Sequence, residues 1–227
     1  MAAGSRPGKK TSISLILIFI FVLVSAQGER QDTLKQYLFP AFAKNKVLTK
    51  NGTSSTLVMN YNIISENVVF IQKGKYFDLA SPETVDTAWF GDRAFIPREK
   101  CFLEVLCKGK VSFFIRDKGV PVPPPKPGGY GTASETSATD VISGINTPQG
   151  YYNLKLPEGF TVRVSNSFYV RVGDIWTRFL NENQMLKAFP GKEKELKQFI
   201  KDNHLRVTRR DDLVRIGIFC NNMLSNR

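Results

Sequence analysis

Between Val47 and Asp117 the chain alternates short runs of β-branched, aromatic and aliphatic residues with turn residues. The runs are Val47–Thr49, Thr56–Tyr61, Val68–Gln72, Tyr76–Leu79, Val85–Phe90, Arg93–Ile96, Cys101–Cys107 and Val111–Arg116. Lys50-Asn51-Gly52, Lys73-Gly74-Lys75, Ser81-Pro82-Glu83, Gly91-Asp92 and Lys108-Gly109-Lys110 separate them. Short turns between short strands predict an antiparallel meander, curled or closed into a small barrel. Asn51-Gly52-Thr53 also fits the N-glycosylation pattern, but it falls where the strands need a turn, and the turn is the preferred reading.

Further along, Phe160, Val162 and Val164 alternate with Thr161 and Arg163, and Phe168, Val170 and Val172 with Tyr169 and Arg171. That period of two predicts strands Phe160–Val164 and Phe168–Val172, parted by Ser165-Asn166-Ser167, with Tyr151–Leu156 before them. The pattern does not decide whether they join the first sheet. Beyond Asp174 the period lengthens. Asn181–Phe189, stopped by Pro190-Gly191, and Lys192–Asn203, with Leu196, Phe199 and Ile200 on one stripe, predict helices. A last helix follows Thr208, with Asp211 placed for a capping box and Leu213, Ile216, Cys220 and Leu224 facing inward. The expected fold is thus mainly β with a small C-terminal helical cap, α+β overall.

Residues 118–150 interrupt the pattern, with six Pro, six Gly and seven Ser or Thr among 33 positions. This stretch reads as a loop or linker, polyproline II over Pro121–Pro127 and flexible from Gly128-Gly129-Tyr130-Gly131. The remaining divisions are a leader over 1–26, a β-meander over 27–117, further strands over 151–175 and a helical segment over 176–227.

The leader reading rests on Arg6, Lys9 and Lys10, with no acid, ahead of the apolar run Ile13–Val24. Twelve residues fall short of the ~20 that a spanning helix requires, so a cleaved signal peptide is expected rather than an anchor. Val24-Ser25-Ala26 places cleavage between Ala26 and Gln27. No membrane span is expected in the mature chain, which keeps 29 of the 32 cations and all 20 acids, a net +9.

Export makes disulfides permissible, yet three cysteines leave one unpaired. Cys101 and Cys107 stand six residues apart on one predicted strand, ~20 Å and too far to bond. Cys220 with either stays open, and three buried thiols is the preferred reading. One His and no close Cys pair argue against a metal site, and no cofactor is expected.

Catalytic signatures are missing. G-x-S-x-G, H-E-x-x-H, P-loop and S-x-x-K patterns do not occur, and His204 reads as a helix-end residue. A hydrolase using the carboxylates Asp78, Glu83, Asp86 and Asp92 near strand ends is the alternative. Arg206, Arg209 and Arg210 are the candidate anion-binding residues, although Asp211 and Asp212 beside them also fit an ion-paired face. An exported cationic surface favours anionic lipid or glycan over nucleic acid.

Tyr37-Leu38-Phe39-Pro40, Lys73-Gly74-Lys75-Tyr76, Val85-Asp86-Thr87 and Phe95-Ile96-Pro97 resemble segments of uncharacterised exported β-rich proteins of Bacteroidota-type bacteria. Glu195–Lys201 and Asp211-Asp212-Leu213-Val214 resemble the same group. The resemblance implies an envelope-associated, periplasmic or secreted protein and no activity. It also implies O-glycosylation acceptors at Asp32-Thr33-Leu34 and Asp86-Thr87-Ala88. The function expected is non-enzymatic, binding a protein or glycan partner or serving a structural role.

Overall fold

The computed structural model describes residues 35–124, 126–127, 133–134, 156 and 159–225. The expected signal segment with Ala26 and Gln27, Asp32-Thr33-Leu34 and Gly128–Gly131 lie outside them, as does all of Tyr151–Leu156 except its last residue. Eight strands come first: β1 (Ala43–Thr49), β2 (Ser54–Asn62), β3 (Asn67–Gln72), β4 (Lys75–Asp78), β5 (Val85–Phe90), β6 (Arg93–Arg98), β7 (Cys101–Cys107) and β8 (Val111–Val122). Two short strands, β9 (Lys126–Pro127) and β10 (Ala133–Ser134), pair only with each other. Then come β11 (Thr161–Val172), β12 (Ile175–Phe179) and helices α1 (Glu182–Leu186), α2 (Glu193–Asp202) and α3 (Arg210–Ser225).

Ten of these strands form one antiparallel sheet in the order β12-β11-β8-β7-β6-β5-β1-β2-β3-β4. It is an α+β fold with an unclosed, curled sheet, and the turns named above set most of the pairing. Lys73 and Gly74, both at positive φ (50° and 71°), make the two-residue hairpin between β3 and β4, because that turn twists with its strands. At Asn51 the carboxamide accepts from Thr49 Oγ1 and Thr53 N, fixing the β1–β2 turn. The meander breaks once. A 3-10 turn at Pro82–Thr84 brings β5 beside β1 instead of β4.

Three predicted boundaries change. Lys118–Val122 continue β8, where a linker was expected, and pair with Thr161–Ser165. Ser165-Asn166-Ser167 is no turn: β11 runs unbroken through it, each residue opposite a charged one, Lys118, Asp117 and Arg116. A polar strand centre is tolerated where the neighbouring strand is itself charged. The helical segment begins late as well, since Ile175–Phe179 is a strand joined to β11 by a hairpin at Gly173-Asp174. Residues 161–172 therefore do extend the first sheet.

Alternation places two apolar clusters on the inner face. Phe113, Ile115, Phe168, Val170 and Phe179 pack under the helices against Met185, Leu196, Ile200, Leu213, Ile216 and Cys220. Met59, Tyr61, Val68, Ala88, Phe90, Phe95 and Phe102 fill the curled half. The curl brings Ile63, just past β2, onto β8, where Gly119 N donates to Ile63 O at 2.7 Å. A Cβ on Gly119 would lie 2.8 Å from both Ile63 and Val162 side chains, so only glycine permits this approach. Tyr61 donates from its hydroxyl to Phe102 O across the curl, and burial raises its pKa.

At the end of α2, Asn203 caps and His204 takes φ 51°. His204 N donates to Lys201 O and Leu205 N to Ile200 O, the two bonds of a Schellman ending that buries Leu205. The only histidine is thus an exposed turn residue. Helix α3 opens on Leu213 N donating to Arg209 O, one residue past the expected Thr208 cap, while Asp212 Oδ2 accepts from Arg206 N.

Candidate functional site

Opposite faces of the central strands treat arginine in opposite ways. On the inner face, between the two apolar clusters, Arg93 Nε and Nη2 donate to Glu104 Oε1 and Oε2 at 2.7 and 2.8 Å. Arg210, from the first turn of α3, donates Nη2 to Asp117 Oδ2 at 2.7 Å and sets Nη1 against Glu104 Oε2. Arg93 also stacks over Phe39, 4.9 Å from the ring centre. Two cations and two buried carboxylates neutralise one another here. Burial raises the Asp117 carboxyl, an effect Arg93 partly offsets, and it pushes Arg210 down to about 10. This quartet ties α3 to the sheet.

The outer face is built differently. Register sets Lys46, Trp89, Ala94, Val105, Phe114, Tyr169 and Arg178 side by side across seven strands. At ~4.8 Å per strand the row is ~29 Å along the sheet. Lys46 Nζ stands 5.4 Å from the Trp89 ring centre. One step off the row, Trp176 lies against Phe114, ring centres 4.6 Å apart. The Arg98 guanidinium covers Trp176 at 4.1 Å, and Arg171 approaches the ring at 5.6 Å. Leu103, Phe114 and Cys101 form the buried floor, with Ile96, Val105, Tyr169 and Trp176 half-buried around them. Arg178 and Lys46 are exposed at the two ends.

Acids on this face are few and occupied. Glu66, in the turn after β2, takes both Arg116 donors, at 2.5 and 2.7 Å, which raises the Arg116 pKa. Exposed Glu99 lies 3.8 Å from Arg98. Arg98, Arg171 and Lys46 thus meet aromatic rings rather than buried carboxylates. Flat, half-exposed rings beside cations can stack planar or ring-shaped groups and pair their negative charges.

The three arginines singled out in the sequence do not converge in this way. Arg210 belongs to the buried quartet, whereas Arg206 and Arg209 are exposed, Arg209 lying 3.9 Å from Asp212. The strand-end carboxylates are spread out. Asp86 and Asp92 flank opposite ends of β5, ~20 Å apart by strand rise, Glu83 sits in the 3-10 turn, and Asp78 ends β4, with β1, β2 and β3 between it and β5. Among the described residues no group of three His, Cys, Asp or Glu could hold a metal ion, and no helix is long and apolar enough to cross a membrane.

Comparison with protein-family models, curated proteins and solved structures finds no match. The site therefore rests on its own chemistry. Its residues escaped the sequence reading because Lys46, Trp89, Arg98, Arg171 and Trp176 share no local motif; only strand register assembles them. The available signal was the period of two around Arg171, which puts that cation on the face opposite Val170.

Proposed function

We propose that this is an exported, non-enzymatic binding protein whose outer sheet face takes an anionic polysaccharide. The observation that carries the reading is Trp176 with Arg98 and Arg171 against its ring, one step off the row that ends in Trp89 and Lys46. Sugar rings present C–H faces that stack on indoles, and their carboxylate or sulfate groups pair with neighbouring guanidinium and ammonium groups. A row across the strands suits an extended chain of such units. A membrane surface is served less well, since it rewards protruding apolar side chains and here the indole is half-buried among cations.

The test is titration of the purified protein with polygalacturonate and dextran sulfate at several salt concentrations. Binding should weaken with salt, and the Arg98→Ala/Trp176→Ala double variant should lose at least tenfold in affinity. Arg206→Ala/Arg209→Ala should change it less than twofold. Equal binding by the Arg98/Trp176 variant would overturn the assignment, as would preference for anionic vesicles or for an oligothymidine strand, which would move the site to lipid or nucleic acid.

A further inference from the structure

The three cysteines have distinct surroundings that the strand pattern does not reveal. Alternation alone would put Cys101 and Cys107 on the same face of β7. A shift in register between Val105 and Cys107 intervenes: Val105 pairs with Phe114, and Cys107 with Phe113. A bulge of this kind re-aims the side chain beyond it. Cys101 stays on the outer face with Leu103 and Phe114, while Cys107 turns inward and joins the cluster beneath the helices.

There Cys107 meets α3. Its Sγ occupies the space above Gly217, where a Cβ would come within 2.3 Å of the sulfur, so a side chain at 217 is excluded by the thiol. Asn221 lies 3.9 Å away through Nδ2 and grips the start of the neighbouring strand β8, accepting from Val111 N and donating to Val111 O at 2.9 and 2.8 Å. Cys220 sits between these two contacts on the helix, three residues after Gly217 and next to Asn221, and it is buried. Neither sulfur is bonded to another cysteine in this structure. Burial raises both pKa values, Cys220 to about 12 with Cys107 contributing.

We propose that Cys107 and Cys220 are a disulfide-forming pair that fastens α3 to β7, leaving Cys101 as the unpaired thiol. The oxidant is a disulfide, either that of a thiol–disulfide oxidoreductase or oxidised glutathione. The half-exposed Cys107 loses its proton and attacks one sulfur of that disulfide, whose S–S bond breaks and releases one thiol. Cys220, deprotonated in turn, attacks the Cys107 sulfur of the mixed disulfide and releases the second thiol. The protein loses two protons and two electrons, and the oxidant gains both. The raised pKa values make each attack slow at neutral pH, so a catalyst or a long exposure is required. Gly217 allows the thiol to seat against the helix before bonding. The physiological oxidant rests on the export reading; the pairing rests on the bulge and on α3.

The experiment incubates the purified reduced protein with a glutathione redox buffer, alkylates it under denaturing conditions and maps non-reduced peptides by mass spectrometry. Expected are a linked Cys107–Cys220 peptide pair, a loss of 2 Da from the intact mass and one alkylated thiol, at Cys101. Because the bond closes a loop of over 100 residues, the oxidised form should melt roughly 10 °C higher than the reduced one. Cys101→Ser should keep the bond and the shift, and Cys220→Ser should lose both. A bond that includes Cys101, or three alkylated thiols after prolonged oxidation, overturns the pairing. Protein that forms the bond in the tube but carries three free thiols when taken from the envelope fraction would sustain the pairing and count against export.

Discussion

Two sets of arginines meet opposite faces of the same sheet. Arg93 and Arg210 point inward to Glu104 and Asp117, and their charge is consumed in joining β6 to β7 and α3 to the sheet. Arg98 and Arg171 point outward and lie on an indole. Among the strand arginines, place in the pleat rather than position in the sequence decides whether the cation is consumed by a buried carboxylate or left beside half-exposed rings. Arg210, beside Arg209 in the chain, joins the first group because α3 lies over the inner face and carries it onto Glu104 and Asp117.

The largest effect is expected in the buried quartet. Replacing Glu104 by Ala leaves Arg93 and Arg210 sharing a single carboxylate in a buried setting, and it should cost about 3 kcal/mol of stability, read as a lower urea midpoint. A change below ~0.5 kcal/mol would mean the quartet is incidental. Outer-face substitutions should behave oppositely. Arg98→Ala should cost only about 0.5–1 kcal/mol of stability while weakening polysaccharide binding several-fold; a large loss of stability with binding intact would erase the distinction between the faces.

Acid titration sharpens the contrast further. With the Asp117 carboxyl raised by burial, the folded protein takes up that proton before the unfolded chain does as the pH falls. This group therefore destabilises the native state above its folded pKa, and the penalty is relieved as the pH drops towards the ordinary Asp value of ~3.9. The stability of the wild type relative to Asp117→Asn should accordingly rise between about pH 7 and about pH 4. A constant difference across urea midpoints in that range would contradict it. The smallest effect should lie away from both faces. His204→Gly relieves a left-handed backbone at the Schellman ending and should stabilise by about 0.5–1 kcal/mol, raising Tm by a few degrees with binding unchanged.

Most of the sheet was legible because turn residues mark its hairpins: β5 and β7 match their predicted bounds. Failures occurred where tertiary surroundings overrode local chemistry. Ser165-Asn166-Ser167 has turn composition, yet it lies in a strand because Arg116, Asp117 and Lys118 face it. Strand β12 was missed although Gly173-Asp174 between Arg171-Val172 and Ile175-Trp176 is a two-residue hairpin signal. The site was the least legible part. Its cations come from β1, β6 and β11, and only a curled sheet with a fixed pleat sets them beside Trp89 and Trp176.

The pairing of Val122 with Thr161 has a topological consequence. Strand β8 ends and β11 begins at neighbouring points, so the stretch joining them, 123–160, has both its ends at one place on the sheet. Its length can change, or a foreign domain can be spliced into it, with an entropic cost that grows only with the logarithm of the added residues. The fold thus carries a natural insertion port, at which lineages can diverge in size while every strand of the sheet keeps its neighbour.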